Sequence, residues 1–421
     1  MFRSHRWLAL IPLCIVFSLL LTFSASGAKL QLRMSSWDSW QDPCYKILIA
    51  EFEKANPDLE IQIEYAEFFK YWQRLMTESL TGTAADITQN MVGVILDYAK
   101  MKAVMDLTPL IKKDLKMSDY LPGMFDPYKY PPGKTTARIY CVPFIYFDQV
   151  MFYNETLFDE AGIPYPQDST WQSFLDAAKK LTKDTNNDGT PEVWGFDLYP
   201  GHDSIYPWIS TAGGRFWDKT YKKCQINQPA TMEGLQFYVD LILKHKVAPP
   251  PGLRMQGINP FMSGRIAMYM DGTWNLGLYQ TIKDFKWDIA DPPRGKQAGG
   301  YGGPGTYAIP SNCKHPKEAW RFLKFLLSKQ GQLILGKGGY GIPVQKQAAD
   351  EFYDRSLPPK HMSVDIAHLG KPGYTWILNN KPMEYRKVFD DTIVEVLLGK
   401  KQLKPAMDEA VKQIDTIIAG S

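Results

Sequence analysis

Residues 30–52 read "LQLRMSSWDSWQDPCYKILIAEF". Leu30, Leu32 and Met34 alternate with polar residues, and a period of two predicts a strand. Asp42 and Pro43 predict a helix start, an acceptor for free amides followed by the residue whose missing N–H costs nothing there. Tyr45, Leu48, Ile49 and Phe52 then recur at helical spacing. Between strand and helix stand Trp37, Asp38 and Trp40, two indoles and a carboxylate in a polar turn.

The same unit recurs downstream. Leu59, Ile61, Ile63 and Tyr65 alternate, and "EFFKYW" (67–72) leads into a helix with Trp72, Leu75, Met76 and Leu80 on one face. "TGTAAD" (81–86) precedes a third short strand near Ile87 that ends in Gln89 and Asn90, with a helix through Val104 after it. Strand, helix, strand, helix, strand implies parallel pairing with right-handed crossovers. Ligands of such sheets sit beyond the carboxyl ends of the strands. The turns carrying Trp37, Trp40 and Trp72 therefore share one edge and become candidate binding platforms.

A chain of 421 residues is too long for one ordinary core, so two domains are expected. Residues 1–28 read as a secretory signal: Arg3 and Arg6, an apolar run over 7–23, then small residues ending in "SGA". The run exceeds the roughly 7–15 residues usual for such segments, which keeps an uncleaved membrane anchor as the alternative. Losing Arg3 and Arg6 takes the net charge from +3 to +1. A near-neutral chain argues against nucleic acid as a partner. Cys14 lies in the signal, too early in the apolar run for a lipid-attachment site. Cys44, Cys141, Cys224 and Cys313 remain, which permits two disulfides or isolated thiols, and their wide spacing disfavours zinc.

After Cys141 the pattern shifts. Residues 142–154 form a long extended segment, 170–182 an amphipathic helix, 213–227 a hairpin and 229–245 a helix. "GRIAMYMDGTW" (264–274) puts a strand before a helix capped by Thr273, with Trp274 again at a strand's carboxyl end. "AGGYGGPG" (298–305) precedes a strand and not a helix, so it reads as a backbone crossing and not a phosphate cradle. Residues 315–335 read as one long helix, and 383–418 as an amphipathic helical stretch.

Several segments together resemble a known family: "VMFYNETLFDEAGIPYP" (150–166), "TWQSFLDAAKKLT" (170–182), "FMSGRIAMYMDGTWNLG" (261–277), "GGPGTYAIPSNCKHPKEAWRFLKFLLS" (302–328) and "GYGIPV" (339–344). They are similar, in order and over nearly the whole mature chain, to the extracellular solute-binding proteins of bacterial ABC importers, in the sugar-binding group that includes maltose-binding protein. Ala85 stands where that family usually has proline.

The resemblance implies an α/β fold of two lobes, the type II periplasmic-binding-protein fold. Each lobe is a mostly parallel sheet flanked by helices, with a ligand cleft between. Lobe 1 would be 29–144 with 302–341, and lobe 2 would be 148–299 with 342–421. The crossings would fall near 145–147, 299–303 and 340–343. It also implies closure by hinging, periplasmic localisation, a monomer, and the transmembrane subunits of an ABC permease as partner. Trp208 falls where the family often contacts ligand, and Tyr301 and Tyr340 fall at crossings facing the cleft.

Sugars offer apolar faces fringed by hydroxyls, so a site for them needs flat aromatic surfaces and fixed polar groups. Twelve tryptophans and twenty-three tyrosines supply the surfaces. The expected ligand contacts are Trp37, Asp38, Trp40, Glu67, Trp72, Asp86, Asn90, Trp208, Trp274, Tyr301, Tyr340 and Trp376, with the carboxylates accepting from hydroxyls. Trp194 and Trp320 read as core. The expected ligand is a carbohydrate, an oligosaccharide on the number of platforms. No cofactor is expected beyond a structural calcium on Asp184, Asn186 and Asp188, although Gly195 stands where a calcium loop needs its bidentate glutamate. A secreted glycan-active enzyme would use the same platforms with a carboxylate pair drawn from Asp38, Glu67 and Asp86. With no GxSxG, HExxH or histidine-rich cluster, a catalytic role is not expected. A polyamine receptor would use the same carboxylates around aromatic rings.

Overall fold

A computed structural model describes residues 29–91, 94–131, 134–198, 201–218, 222–253, 259–354, 356–362 and 382–420. Strands β1 (Leu30–Ser36), β2 (Leu59–Tyr65) and β3 (Ile87–Asn90) pair in parallel, as the alternation predicts. Helices Asp42–Ala55 and Phe68–Thr81 connect them. Tyr45, Leu48 and Phe52 on the first helix and Tyr71, Trp72 and Leu75 on the second are buried, so each helix turns its apolar stripe inward. Asp42 is the first residue of its helix and not its cap; a short 3₁₀ turn, Ser39–Gln41, precedes it, and its carboxylate accepts from the Tyr65 hydroxyl.

Strands β4 (Lys129–Tyr130) and β5 (Arg138–Ile139) make a small separate hairpin. The rest of the sheet is built on β6 (Val142–Asn154), thirteen residues buried throughout. The remaining strands are β7 (Asp197–Leu198), β8 (Met268–Gly272), β9 (Trp287–Ala290) and β10 (Gly302–Ala308). The order is β2-β1-β3-β10-β6-β8-β7, with β9 also pairing β6. The changeover lies inside β6. Residues up to Asp148 pair with β10, and residues from Gln149 on pair with β8 and β9. One strand thus carries both halves of the molecule.

Two further stretches of backbone meet β6 at that changeover. Gly302 lies opposite Asp148, Gln149 N–H donates to Tyr301 O, and Tyr146 exchanges backbone hydrogen bonds with Ile342. The glycines of 302–305 are strand residues, not a preceding loop. A Cβ on Gly302 would lie 2.7 Å from the Tyr146 hydroxyl and 2.8 Å from Asp148 Oδ1, which explains the glycine at this close passage.

The third return differs from expectation. Leu121 N–H donates to Val344 O at 2.8 Å, and Lys346 reaches Ser118 O, so residues 344–346 stay with the first half instead of joining lobe 2 at 342. Contacts with the second half resume at Pro358 O, reached by Gln280, and at His361, bonded to Asp288. The long helix expected over 315–335 is two, Pro316–Leu326 and Lys329–Lys337, because the Ser328 hydroxyl caps the second by accepting from Gly331 N–H. The C-terminal stretch likewise divides into Pro382–Leu397 and Leu403–Ala419.

Candidate functional site

Parallel register brings the carboxyl ends of β1, β2 and β3 to one edge of the first half. On the second half β7 and β8 are also parallel, and the turn at Thr273 and the helix His202–Thr211 follow their carboxyl ends. Both edges border the Tyr146–Gln149 stretch of β6, so the seam between the halves is where the two rims meet.

On the first rim, Trp37 leaves β1 and lies half-buried against Phe68, Tyr71 and Trp72, with ring centroids 5.7, 5.2 and 4.9 Å away. Trp72 is 5% exposed, so it forms the bed beneath Trp37. Its indole N–H is buried with no acceptor among the described residues. Asp38 is also buried, and its Oδ2 accepts from the Tyr340 hydroxyl and from Gln89 Nε2. Gln89 Oε1 in turn accepts from the Ser36 hydroxyl and from Trp37 N–H, which fixes the turn. The Tyr340 hydroxyl is 2.9 Å from that of Tyr45. Burial pushes the Asp38 carboxyl up to about 6, against the two hydrogen bonds that favour its ionised form. Asn90 is buried, its amide donates to Thr88, and its Oδ1 has no partner among the described residues.

On the second rim, Trp274 is half-buried with its ring edge-on to Phe147 at 5.9 Å. Thr273 does not cap a helix; its hydroxyl accepts from Asp148 N–H on the crossing strand. The Tyr301 hydroxyl lies 3.1 Å from Arg386 Nη2, and its ring meets that of Tyr206 at 5.5 Å. Arg386 Nη2 also bonds Asp203 Oδ1 at 2.9 Å. Burial would raise the Asp203 carboxyl, but the Arg386 guanidinium, helped by a hydrogen bond from Tyr301, outweighs it and holds it below its ordinary value. His202, buried and beside Arg386, is pushed down to about 3 and is neutral. Asp390 accepts from His202 N–H, and burial raises its carboxyl to about 7. The Arg386 Nε and Gln149 Nε2 donors are buried without acceptors among the described residues.

Several expected contacts are engaged elsewhere. Glu67 is exposed and caps helix Phe68–Thr81, accepting from Phe69 and Lys70 N–H at 3.2 Å each. Asp86 precedes β3 at its amino end, away from the seam, and accepts from Arg33 N–H and the Cys313 thiol. Trp208 is wholly buried among Phe174, Phe196 and Phe237, an interior ring with no face for a ligand. Trp40 belongs to the 3₁₀ turn, and its side chain lies outside the described residues, as does all of Trp376. The loop of Asp184, Asn186 and Asp188 is closed on itself: Asp188 N–H donates to Asn186, Gly189 N–H to Asp184 and Thr190 N–H to Asp188. Cys44, Cys141, Cys224 and Cys313 are free thiols.

Residues that the sequence passed over include Gln149, Asp203, Tyr206 and Arg386. Arg386 carried a signal: it shares the inward stripe of its helix with Tyr385, Phe389 and Ile393, where a lone charge needs a buried partner. Nothing local pointed to Asp203, 183 residues away.

The family model for bacterial extracellular solute-binding proteins matches residues 37–333. The sn-glycerol-3-phosphate-binding periplasmic protein UgpB of Escherichia coli O1:K1 / APEC is 24% identical over 392 residues, 87% of each chain. The fold matches that of the ABC substrate-binding protein Lmo0181 of Listeria monocytogenes, solved in complex with cycloalternan, with a TM-score of 0.83 at 24% identity over 93% of this chain and 99% of that one. It also matches the maltose/maltodextrin-binding domain MalE of Bdellovibrio bacteriovorus bound to maltotriose, with a TM-score of 0.78 at 20% identity over 93% and 100%.

Proposed function

The chain belongs to the bacterial extracellular solute-binding proteins, and from that membership we propose that it captures a carbohydrate between its halves and delivers it to the transmembrane subunits of an ABC permease. The observation that carries this reading is the pairing of half-buried indoles, Trp37 and Trp274, on opposite rims of one seam. Flat rings suit the apolar faces of a sugar. Asn90 Oδ1, Gln149 Nε2 and the Trp72 indole N–H, all buried without a partner among the described residues, are polar groups that hydroxyls would satisfy.

Charge supports a neutral solute. UgpB is named for a phosphate ester, and an anion of that kind needs uncompensated cationic donors. Here the rim arginine, Arg386, already faces Asp203. A polyamine would need several carboxylates at the seam, yet Glu67 caps a helix and Asp86 sits at the far end of β3. The same two assignments weaken the glycan-active enzyme, which needs a carboxylate pair. Residues 1–28 would export the chain to the periplasm, where it acts as a monomer with no catalytic role.

A thermal-shift screen of mono- and oligosaccharides tests the proposal. A ligand at a hundred times its Kd adds about 2.7 kcal/mol of stability. An oligosaccharide should raise the melting temperature and glycerol 3-phosphate should not. Silence across the sugars with a shift for the phosphate ester would overturn it.

A further inference from the structure

The two halves touch beside the seam through contacts that involve no solute. Gln41, in the 3₁₀ turn after Asp38, is 6% exposed, and its Nε2 donates to the main-chain oxygen of Trp274 at 3.0 Å. That amide is held at both ends, because its Oε1 accepts from the Cys44 thiol at 3.5 Å. Gln41 belongs to the first half and Trp274 to the second.

A second tie lies alongside. Gly277, three residues after Trp274, donates its N–H to Gly339 O at 3.1 Å. Gly339 follows helix Lys329–Lys337, which packs on helix Asp42–Ala55 of the first half. The two glycines meet so closely that a Cβ on Gly277 would lie 2.6 Å from Gly338 O, and one on Gly339 would lie 2.2 Å from Gly277 Cα. Gly339 also has φ +72°, which favours glycine. Gly338 in turn backs onto Cys44, whose thiol reaches its carbonyl at 3.5 Å. The Gln41 amide, the Cys44 thiol and the glycine pair thus form one continuous patch across the halves.

We infer that Gln41 is a positioning residue for solute capture: with the Gly277–Gly339 contact it latches the two halves together without a solute and holds the main chain of Trp274 where its ring meets the ligand. The inference rests on the reading that the halves open and close around a solute, and it does not depend on that solute being a sugar. A latch of two hydrogen bonds is weak enough to open and strong enough to populate the closed form, which lowers the part of the binding free energy spent on closure.

The test measures the distance between one spin label on each half by double electron–electron resonance, on the full chain with no ligand added. The wild-type chain should show a closed population. Gln41→Met keeps the side chain's length and loses the donor, and it should lower the closed-to-open ratio roughly three- to tenfold, the worth of one net hydrogen bond. Gly277→Ala drives a methyl at Gly338 O and should lower it at least as much. Alanine also suits a helix better than glycine, so this variant should unfold in urea no earlier than wild type, which separates a lost latch from a damaged fold. With maltotriose as the probe, both variants should dissociate faster at unchanged association rate. Distance distributions unchanged in both variants, or a wild-type chain with no closed population, would overturn the latch. Failure to bind maltotriose beside the expected distance shifts would count against the sugar and leave the latch standing.

Discussion

The two rims of the seam solve the same problem with different chemistry. The first is aromatic and locally built: Trp37 rests on Phe68, Tyr71 and Trp72, all within thirty-five residues of one another. The second is ionic and assembled from far apart, with Arg386 joining Asp203 and Tyr301 across 183 and 85 residues. An aromatic bed needs only one helix turned to face one strand end. A buried ion pair needs both partners delivered together, since either alone is an uncompensated charge.

That contrast can be broken most severely on the ionic side. Arg386→Ala takes the guanidinium away from a half-buried Asp203 and should lower stability in urea unfolding, by less than the roughly 3–5 kcal/mol for breaking a fully buried pair. Stability unchanged in this variant would mean that the pair is a surface feature. On the aromatic side, Trp37→Ala should leave folding almost intact and weaken oligosaccharide binding by about 2 kcal/mol, roughly thirtyfold by calorimetry. Equal losses of stability and affinity would make Trp37 a core residue.

The pH dependence sharpens the comparison. Asp38 on the first rim and Asp390 behind the second have carboxyls raised to about 6 and about 7. A raised carboxyl contributes stability that is fully present below the unfolded value near 4 and is lost as pH rises through the folded value. His202, neutral in the fold and charged once unfolded, takes stability away over the same range, so the chain should show a net gain on acidification from pH 7.5 to 5.5 on the order of 1 kcal/mol. Asp390→Asn should remove most of that gain and Asp38→Asn less of it. The smallest effect is expected at Glu67, where alanine removes a helix cap, costs about 1 kcal/mol and leaves sugar affinity unchanged. A loss of affinity there would return Glu67 to the seam.

Much of the first rim was legible because its information is local. Alternation located β1, β2 and β3, and parallel order then placed Trp37 and Asp38 at the strand-end edge that borders the seam. The same rule misled at Glu67 and Asp86. Glu67 follows its strand, but a residue entering a helix has free amides to satisfy first. Asp86 precedes its strand, and in parallel register it lies beside Arg33 and not beside Asp38. Trp208 was unreadable for a further reason: helix His202–Thr211 is buried almost all round, so sequence gives no face to choose.

The amino-acid sequence by itself determined the order of strands and helices and the family to which the chain belongs, because periodicity and short motifs are properties of neighbours. Only the tertiary structure decided that Arg386 finds Asp203 and that Gln41 reaches Trp274 across 233 residues. Each of these pairs distant positions whose residue types suit many partners. The choice among them is made by packing and by the cost of leaving a buried polar group unsatisfied.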